Sequence, residues 1–156
     1  EKGVREVLVH GAITGHPVVD VRVVVYDGKH HSVDSKEIAF ATAGRKAFMD
    51  AIQKSRPLVL EPIVGIEISA PDHAMGDITG DLASKRGMVT GTSNLSLGTV
   101  LVKGQAPMSE LVGYQSRLNA LTAGQGRYTI SLSHYEAVPP AVQDQLTQGY
   151  KARDEE

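Results

Sequence analysis

Valines fall on alternate positions along residues 17–26. Val19, Val21, Val23 and Val25 share one face while Asp20 and Arg22 interrupt the other, the period-two pattern of a strand. Before it, Val4, Val7 and Leu8 keep helical spacing, although no capping residue opens that helix. A helix starting abruptly at residue 1 suggests a boundary inside a longer protein. Gly11 and Gly15 mark the turn between the two. A polar loop, residues 27–33, follows the strand. Asp34, with Glu37 three positions on, predicts an N-cap and its reciprocal partner. The helix runs to about Ser55, with Ile38, Ala41, Phe48 and Ile52 on one side, and Pro57 stops it. Residues 58–60 predict a short strand that Glu61 and Pro62 end.

A second pattern begins after Pro62. Val64, Ile66 and Ile68 alternate as a strand; Pro71 and Asp72 suit a first helical turn, and Met75, Ile78 and Leu82 continue it as an apolar stripe to Lys85, Arg86 and Gly87. Residues 88–92 and 99–105 predict strands around a turn region at Ser93 and Asn94. Pro107 precedes a helix with Leu111, Tyr114, Leu118 and Leu121 on one face, closed by Gly124, and Tyr128, Ile130 and Leu132 alternate in a last strand. The order over residues 63–138 is β-α-β-β-α-β, a ferredoxin-like arrangement. The expected fold class is therefore α+β, with a β-α-β unit over residues 1–62, the ferredoxin-like unit over 63–138, and a tail over 139–156 holding one helical turn or two.

Composition narrows the chemistry. Hydrophobic residues make up 41% of 156 but aromatics only 4%, so the core is expected to be aliphatic. Sixteen Lys and Arg stand against eighteen Asp and Glu, net −2, which excludes a histone-like binder and an acidic tail protein. Any contact with nucleic acid must come from local charge. The absence of cysteine excludes disulfides, thiolate zinc sites and thiol catalysis. Apolar runs are too short to span a bilayer and no signal segment opens the chain, so a soluble, cytoplasmic protein without a membrane partner is expected.

No P-loop and no G-x-S-x-G elbow occurs, and no catalytic residues are assigned. His30 and His31 with Asp34 invite a metal, but adjacent imidazoles do not readily turn to one ion, and no metal site is assigned. The pairs Asp77/Asp81 and Asp34/Glu37 read as helix-surface or capping carboxylates rather than an acid and base. Gly76 and Gly80 inside a helix each cost about 1 kcal/mol against Ala. Close packing is the expected reason, and close approach to RNA the alternative. The strands over 63–69 and 99–105 carry no aromatic, so the open sheet face is not a base-stacking platform.

Several short motifs occur in a fixed order. They are Gly11-x-x-x-Gly15-x-Pro17-Val18-Val19-Asp20, Val33-Asp34-Ser35-x-Glu37-x-Ala39-Phe40, Leu60-Glu61-Pro62-Ile63, Gly76-Asp77-x-x-Gly80-Asp81-Leu82 with Arg86-Gly87, Ser109-Glu110-x-x-Gly113-Tyr114-x-x-x-Leu118 through Thr122-x-Gly124, and His134-Tyr135-Glu136-x-Val138-Pro139. Together they resemble elongation factor G over nearly the whole chain to about residue 140. The resemblance implies that residues 1–62 are the later part of that family's fourth domain, with its left-handed crossover, and 63–138 its fifth. Earlier strands of the fourth domain and the GTPase domain would precede residue 1. No nucleotide site is then expected here, and GTP with magnesium would belong to the rest of the parent, a ribosome-dependent GTPase.

The resemblance further implies a ribosomal partner: the decoding site with its tRNA and mRNA for the first unit, ribosomal RNA and proteins for the second, and no DNA. It places the tip loop at Gly28, Lys29, His30, His31 and Ser32, with His31 at the family's tip histidine. In the second unit Lys85, Arg86, Arg117 and Arg127 are the cationic candidates for ribosome contact. The implied role is translocation during elongation. His30 and Ser32 depart from the aromatic and acidic residues usual beside the tip histidine, and Ile130, Ser131 and Leu132 depart in the last strand. The alternative is thus a paralogue acting in ribosome recycling. A rival of another class is a ferredoxin-like module binding a small metabolite beside Asp77, Asp81, Gly113 and Tyr114.

Overall fold

In the computed structural model, which describes residues 1–33 and 35–150, the alternation over residues 64–70 builds the centre of a four-stranded antiparallel sheet. β1 (Leu60–Pro71) pairs with β3 (Thr99–Pro107) on one side and β4 (Arg127–Ala137) on the other, and β2 (Met88–Ser96) lies outside β3. The order is β2-β3-β1-β4. Side chains on a strand alternate between faces, so Val64, Ile66, Ile68 and Ala70 point one way together with Val100, Val102 and Ala106. Two helices cover that face. A 3-10 turn (Asp72–Ala74) leads into α3 (Met75–Ser84), which buries Ile78 and Leu82 beside Ala74 of the turn; α4 (Tyr114–Thr122) buries Tyr114 and Leu118. The unit Leu60–Ala137 thus has the expected β-α-β-β-α-β order.

This core is aliphatic, as the composition suggests, except for Tyr114, its largest fully buried side chain, whose ring meets Tyr128 edge-on with centroids 5.2 Å apart. Such a ring contributes roughly 2–3 kcal/mol by burial, with a further contribution from the aromatic pair.

Three boundaries move. β1 runs straight through Glu61 and Pro62, where the pattern placed a break. Pairing with β3 begins only at Ile63, so Pro62 has a strand neighbour on one side alone, a position that tolerates its missing N–H. Ser93 and Asn94 lie inside β2; the hairpin turns at Leu97 and Gly98, where Gly98 has φ 76°. The helix after Pro107 is broken: a 3-10 turn (Met108–Leu111) ends before Gly113, whose φ of 71° starts α4 afresh.

The other unit comprises Glu1–Val59 with the residues from Val138 on. α1 (Lys2–His10) packs on α2 (Glu37–Lys54) around Val7, Ala12, Phe48 and Ile52. The helices cross at Gly3, where an added Cβ would lie 1.8 Å from the Ala41 carbonyl oxygen. Gly11 (φ 84°) and Gly15 (φ 77°) make the expected turn. Lys36 precedes α2 in extended conformation, and the N-cap expected at Asp34 lies outside the described residues. Of the expected apolar face of α2, Phe48 and Ile52 are buried while Ile38 is exposed.

The valine-rich stretch 17–26 forms no strand, and Val19, Val21, Val23 and Val25 are exposed. Alternation makes a segment able to join a ladder, but a strand exists only beside another strand; here Val18 N–H donates to the Leu8 carbonyl of α1 at 2.8 Å, and no described strand pairs with the stretch. The β-α-β unit expected over residues 1–62 is therefore two helices, with no crossover of either hand among the described residues. Residues 58 and 59 are likewise not strand; only Leu60 joins β1. Beyond residue 139, instead of a turn or two, α5 (Pro140–Gly149) runs ten residues from Pro at its first position. Gln143 ties it down by accepting from Val59 N–H at 3.0 Å and donating to Pro57 carbonyl at 3.0 Å.

Candidate nucleic-acid interface

Residues 27–33 lie between the unpaired valine stretch and α2, and all of them are exposed. Gly28 is not in the left-handed region, and among the described residues nothing crowds it. The Asp27 carboxylate accepts from the Gly28 N–H at 2.7 Å and shapes the turn from the side chain instead. At the far end, Ser35 Oγ accepts from the His31 N–H at 3.1 Å and donates back to the His31 carbonyl. That clamp holds His31 while Lys29, His30 and Ser32 stand in solvent. Ser35 belongs to a quoted motif, yet its role as the clamp could be found only from the closed loop.

The four candidate cations of the second unit do not act alike. Arg86 closes α3 in the left-handed region (φ 55°), a conformation that costs a non-glycine residue about 1 kcal/mol or more. Its guanidinium donates from Nη1 and Nη2 to the two oxygens of Glu61, at 2.6 and 2.9 Å, and from Nε to Glu110 at 3.0 Å. The hydrogen bonds to Glu61 raise its pKa further above an already high value. Arg86 is thus an internal clamp joining α3, β1 and the turn before α4. Three motifs that look like signatures in the sequence, Glu61-Pro62, Arg86-Gly87 and Ser109-Glu110, meet in it.

Lys85 and Arg117 converge on Asp81. Arg117 Nε donates to Asp81 Oδ1 at 2.7 Å, and Lys85 Nζ lies 3.9 Å from Oδ2. The Asp81 carboxylate is 4% exposed, so it is not the helix-surface carboxylate the sequence suggests. The i,i+4 spacing to Lys85 was the available signal. Burial, then the nearby Asp81 charge, pushes the Tyr114 phenol up to about 12. Asp81 is 4% exposed and Tyr114 1%, so neither presents its polar atoms at the surface, which removes two of the groups a metabolite site there would need. Arg127 lies apart: it opposes Ser69 on the sheet face away from the helices. That face carries Gly65, Glu67, Lys103 and Gln105 and no aromatic from β1 or β3.

Gly76 and Gly80 are exposed, and apart from their own helix backbone no described atom lies within 4 Å of where a Cβ would stand. Packing, the expected reason for them, is overturned: α3 turns bare backbone to solvent.

Two family descriptions match the chain, "Elongation factor G, domain IV" over residues 1–56 and "Elongation factor G C-terminus" over residues 58–146. Elongation factor G of Aquifex pyrophilus is 44% identical over 146 residues, 94% of this chain and 21% of the relative. An elongation factor G-like protein of Thermotoga maritima is 38% identical over the same share of each. A crystal structure of a protein from Thermus thermophilus superposes with a TM-score of 0.76 at 34% identity, covering 94% of this chain and 22% of that one. The chain spans about a fifth of the length of these relatives.

Proposed function

Because the chain belongs to the elongation factor G family, spanning its domain IV and C-terminal matches, we propose that it is the ribosome-binding part of a translation factor that moves tRNA and mRNA during elongation. Loop 27–33 is the element that reaches the decoding site. The observation that carries this reading is the loop's geometry: one end is shaped by Asp27 and the other clamped by Ser35, so Lys29 and His30 are presented on a braced support with nothing to bury them. The Lys29 ammonium and the imidazoles of His30 and His31 offer hydrogen-bond donors toward phosphate oxygens. GTP hydrolysis belongs to the remainder of the longer protein and takes place in the cytoplasm; no helix among the described residues is long and apolar enough to cross a membrane.

The test uses the full-length protein. Replacing His30 and His31 by Ala should slow tRNA–mRNA movement in a pre-steady-state assay while ribosome-stimulated GTP hydrolysis stays near normal. Translocation at the full rate would make the tip structural and remove the assignment. His30 and Ser32, which depart from the family's usual tip, support a second reading as a recycling paralogue. Subunit splitting without translocation by the full-length protein would favour that reading.

A further inference from the structure

Arg117 is held at one end and open at the other. Its Nε–H is spent on Asp81, it is 54% exposed, and among the described residues neither Nη atom has a hydrogen-bond partner. A guanidinium anchored at Nε keeps the edge formed by its two Nη groups, whose parallel donors match two oxygens of a phosphate. Arg86 is the contrast: Glu61 and Glu110 take donors from all three of its nitrogens. Lys85 brings a second cation to the same carboxylate, so two positive charges gather over one negative charge and the cluster is net cationic. Asp81 itself is buried and its Oδ2 has no hydrogen-bond partner, an arrangement that carries a cost in stability and calls for a compensating role.

We infer that Asp81 is a positioning residue for a phosphate-binding site at the α3–α4 edge, fixing Arg117 so that its Nη edge, with Lys85 beside it, takes a phosphodiester of an RNA backbone. RNA fits better than a flexible acidic peptide, because the α3 surface at Gly76 and Gly80 is bare backbone that a rigid, bulky strand can approach closely. The source of that RNA, the ribosome, rests on the function proposed above.

Charge alone and positioning predict opposite signs, which makes the site testable. Binding of the 156-residue chain to a short fluorescent RNA duplex is measured by anisotropy over a salt series. Arg117→Gln should weaken binding roughly tenfold and lower the salt slope by about one. Asp81→Asn removes a negative charge and should nevertheless weaken binding several-fold; added to Arg117→Gln, it should weaken binding no further. Arg117→Lys keeps the charge but cannot be fixed through Nε, and should also bind less tightly; it serves as the check if Asp81→Asn unfolds on a circular dichroism melt. Asp81→Asn or Arg117→Lys binding as tightly as the unaltered chain overturns the positioning role. No duplex binding by the unaltered chain, or preference for an acidic peptide, overturns the site. Large ribosomal subunits form the separate arm: variants that lose duplex binding but keep subunit affinity leave the phosphate site standing and sink only its place on the ribosome.

Discussion

Arg86 and Glu61, twenty-five positions apart, meet in a bidentate pair with N–O distances of 2.6 and 2.9 Å. The carboxylate is 11% exposed and the guanidinium 33%, so the pair is partly shielded and neither group can be removed without stranding the other. Arg86→Gln should cost about 2–3 kcal/mol in a urea melt, with Arg86→Lys intermediate because an ammonium cannot bridge two oxygens. Adding Glu61→Gln to Arg86→Gln should recover part of the loss. A cost within about 0.5 kcal/mol for Arg86→Gln, the range of ordinary surface changes, would mean that the clamp is ornamental.

Tyr114 ties stability to alkaline pH. Burial favours the neutral phenol, raising its pKa from 10.0 to about 12 in the folded chain. A raised pKa contributes stability that is complete below about pH 10 and lost as the pH climbs toward 12. The unfolding free energy should fall by roughly 1–3 kcal/mol across that window. Tyr114→Phe should abolish this component, and since the hydroxyl is buried without a partner, it should be neutral or stabilising at pH 7. Tyrosinate absorbance during an alkaline titration reports the shift directly; five tyrosines titrating together near the ordinary value would refute it.

Gly80→Ala should stabilise the second unit by about 0.5–1 kcal/mol, because helix propensity improves and the new methyl meets nothing. The same change should weaken association with ribosomes if α3 docks by its bare face. A stabilised variant with undiminished ribosome affinity would separate this glycine from function.

Gly3→Ala should have the opposite effect. Its methyl would press on the Ala41 carbonyl and the Arg45 amide, which are backbone atoms with little room to yield. Overpacking of this kind costs about 1–3 kcal/mol, so the first unit should melt earlier while the second is unchanged. Thermal melts followed by residue-resolved NMR separate the two units, and an unmoved first transition would show that α1 can slide.

Residue order alone carries the α+β class, the β-α-β-β-α-β order, the core positions of β1, Ile78 and Leu82 of α3, Tyr114 and Leu118 of α4, and the turn at Gly11 and Gly15, while Met75 of the expected α3 stripe is exposed. These follow from periodicity and local backbone preference, which each segment carries alone. Residues 17–26 show the limit of that information: the valine alternation is as regular as that of β1, yet β1 has β3 and β4 to exchange hydrogen bonds with, and no described strand lies beside the valine stretch. The hairpin was misplaced for a related reason, since its position depends on how β2 registers against β3 rather than on Ser93 and Asn94 themselves. Among the site candidates, four cations were equally visible as residue types. It takes the folded chain to show that Arg86 is consumed by Glu61 and Glu110, that Arg127 lies across the sheet, and that Lys85 and Arg117 share the buried Asp81, because a charge acquires its role from partners brought near by folding.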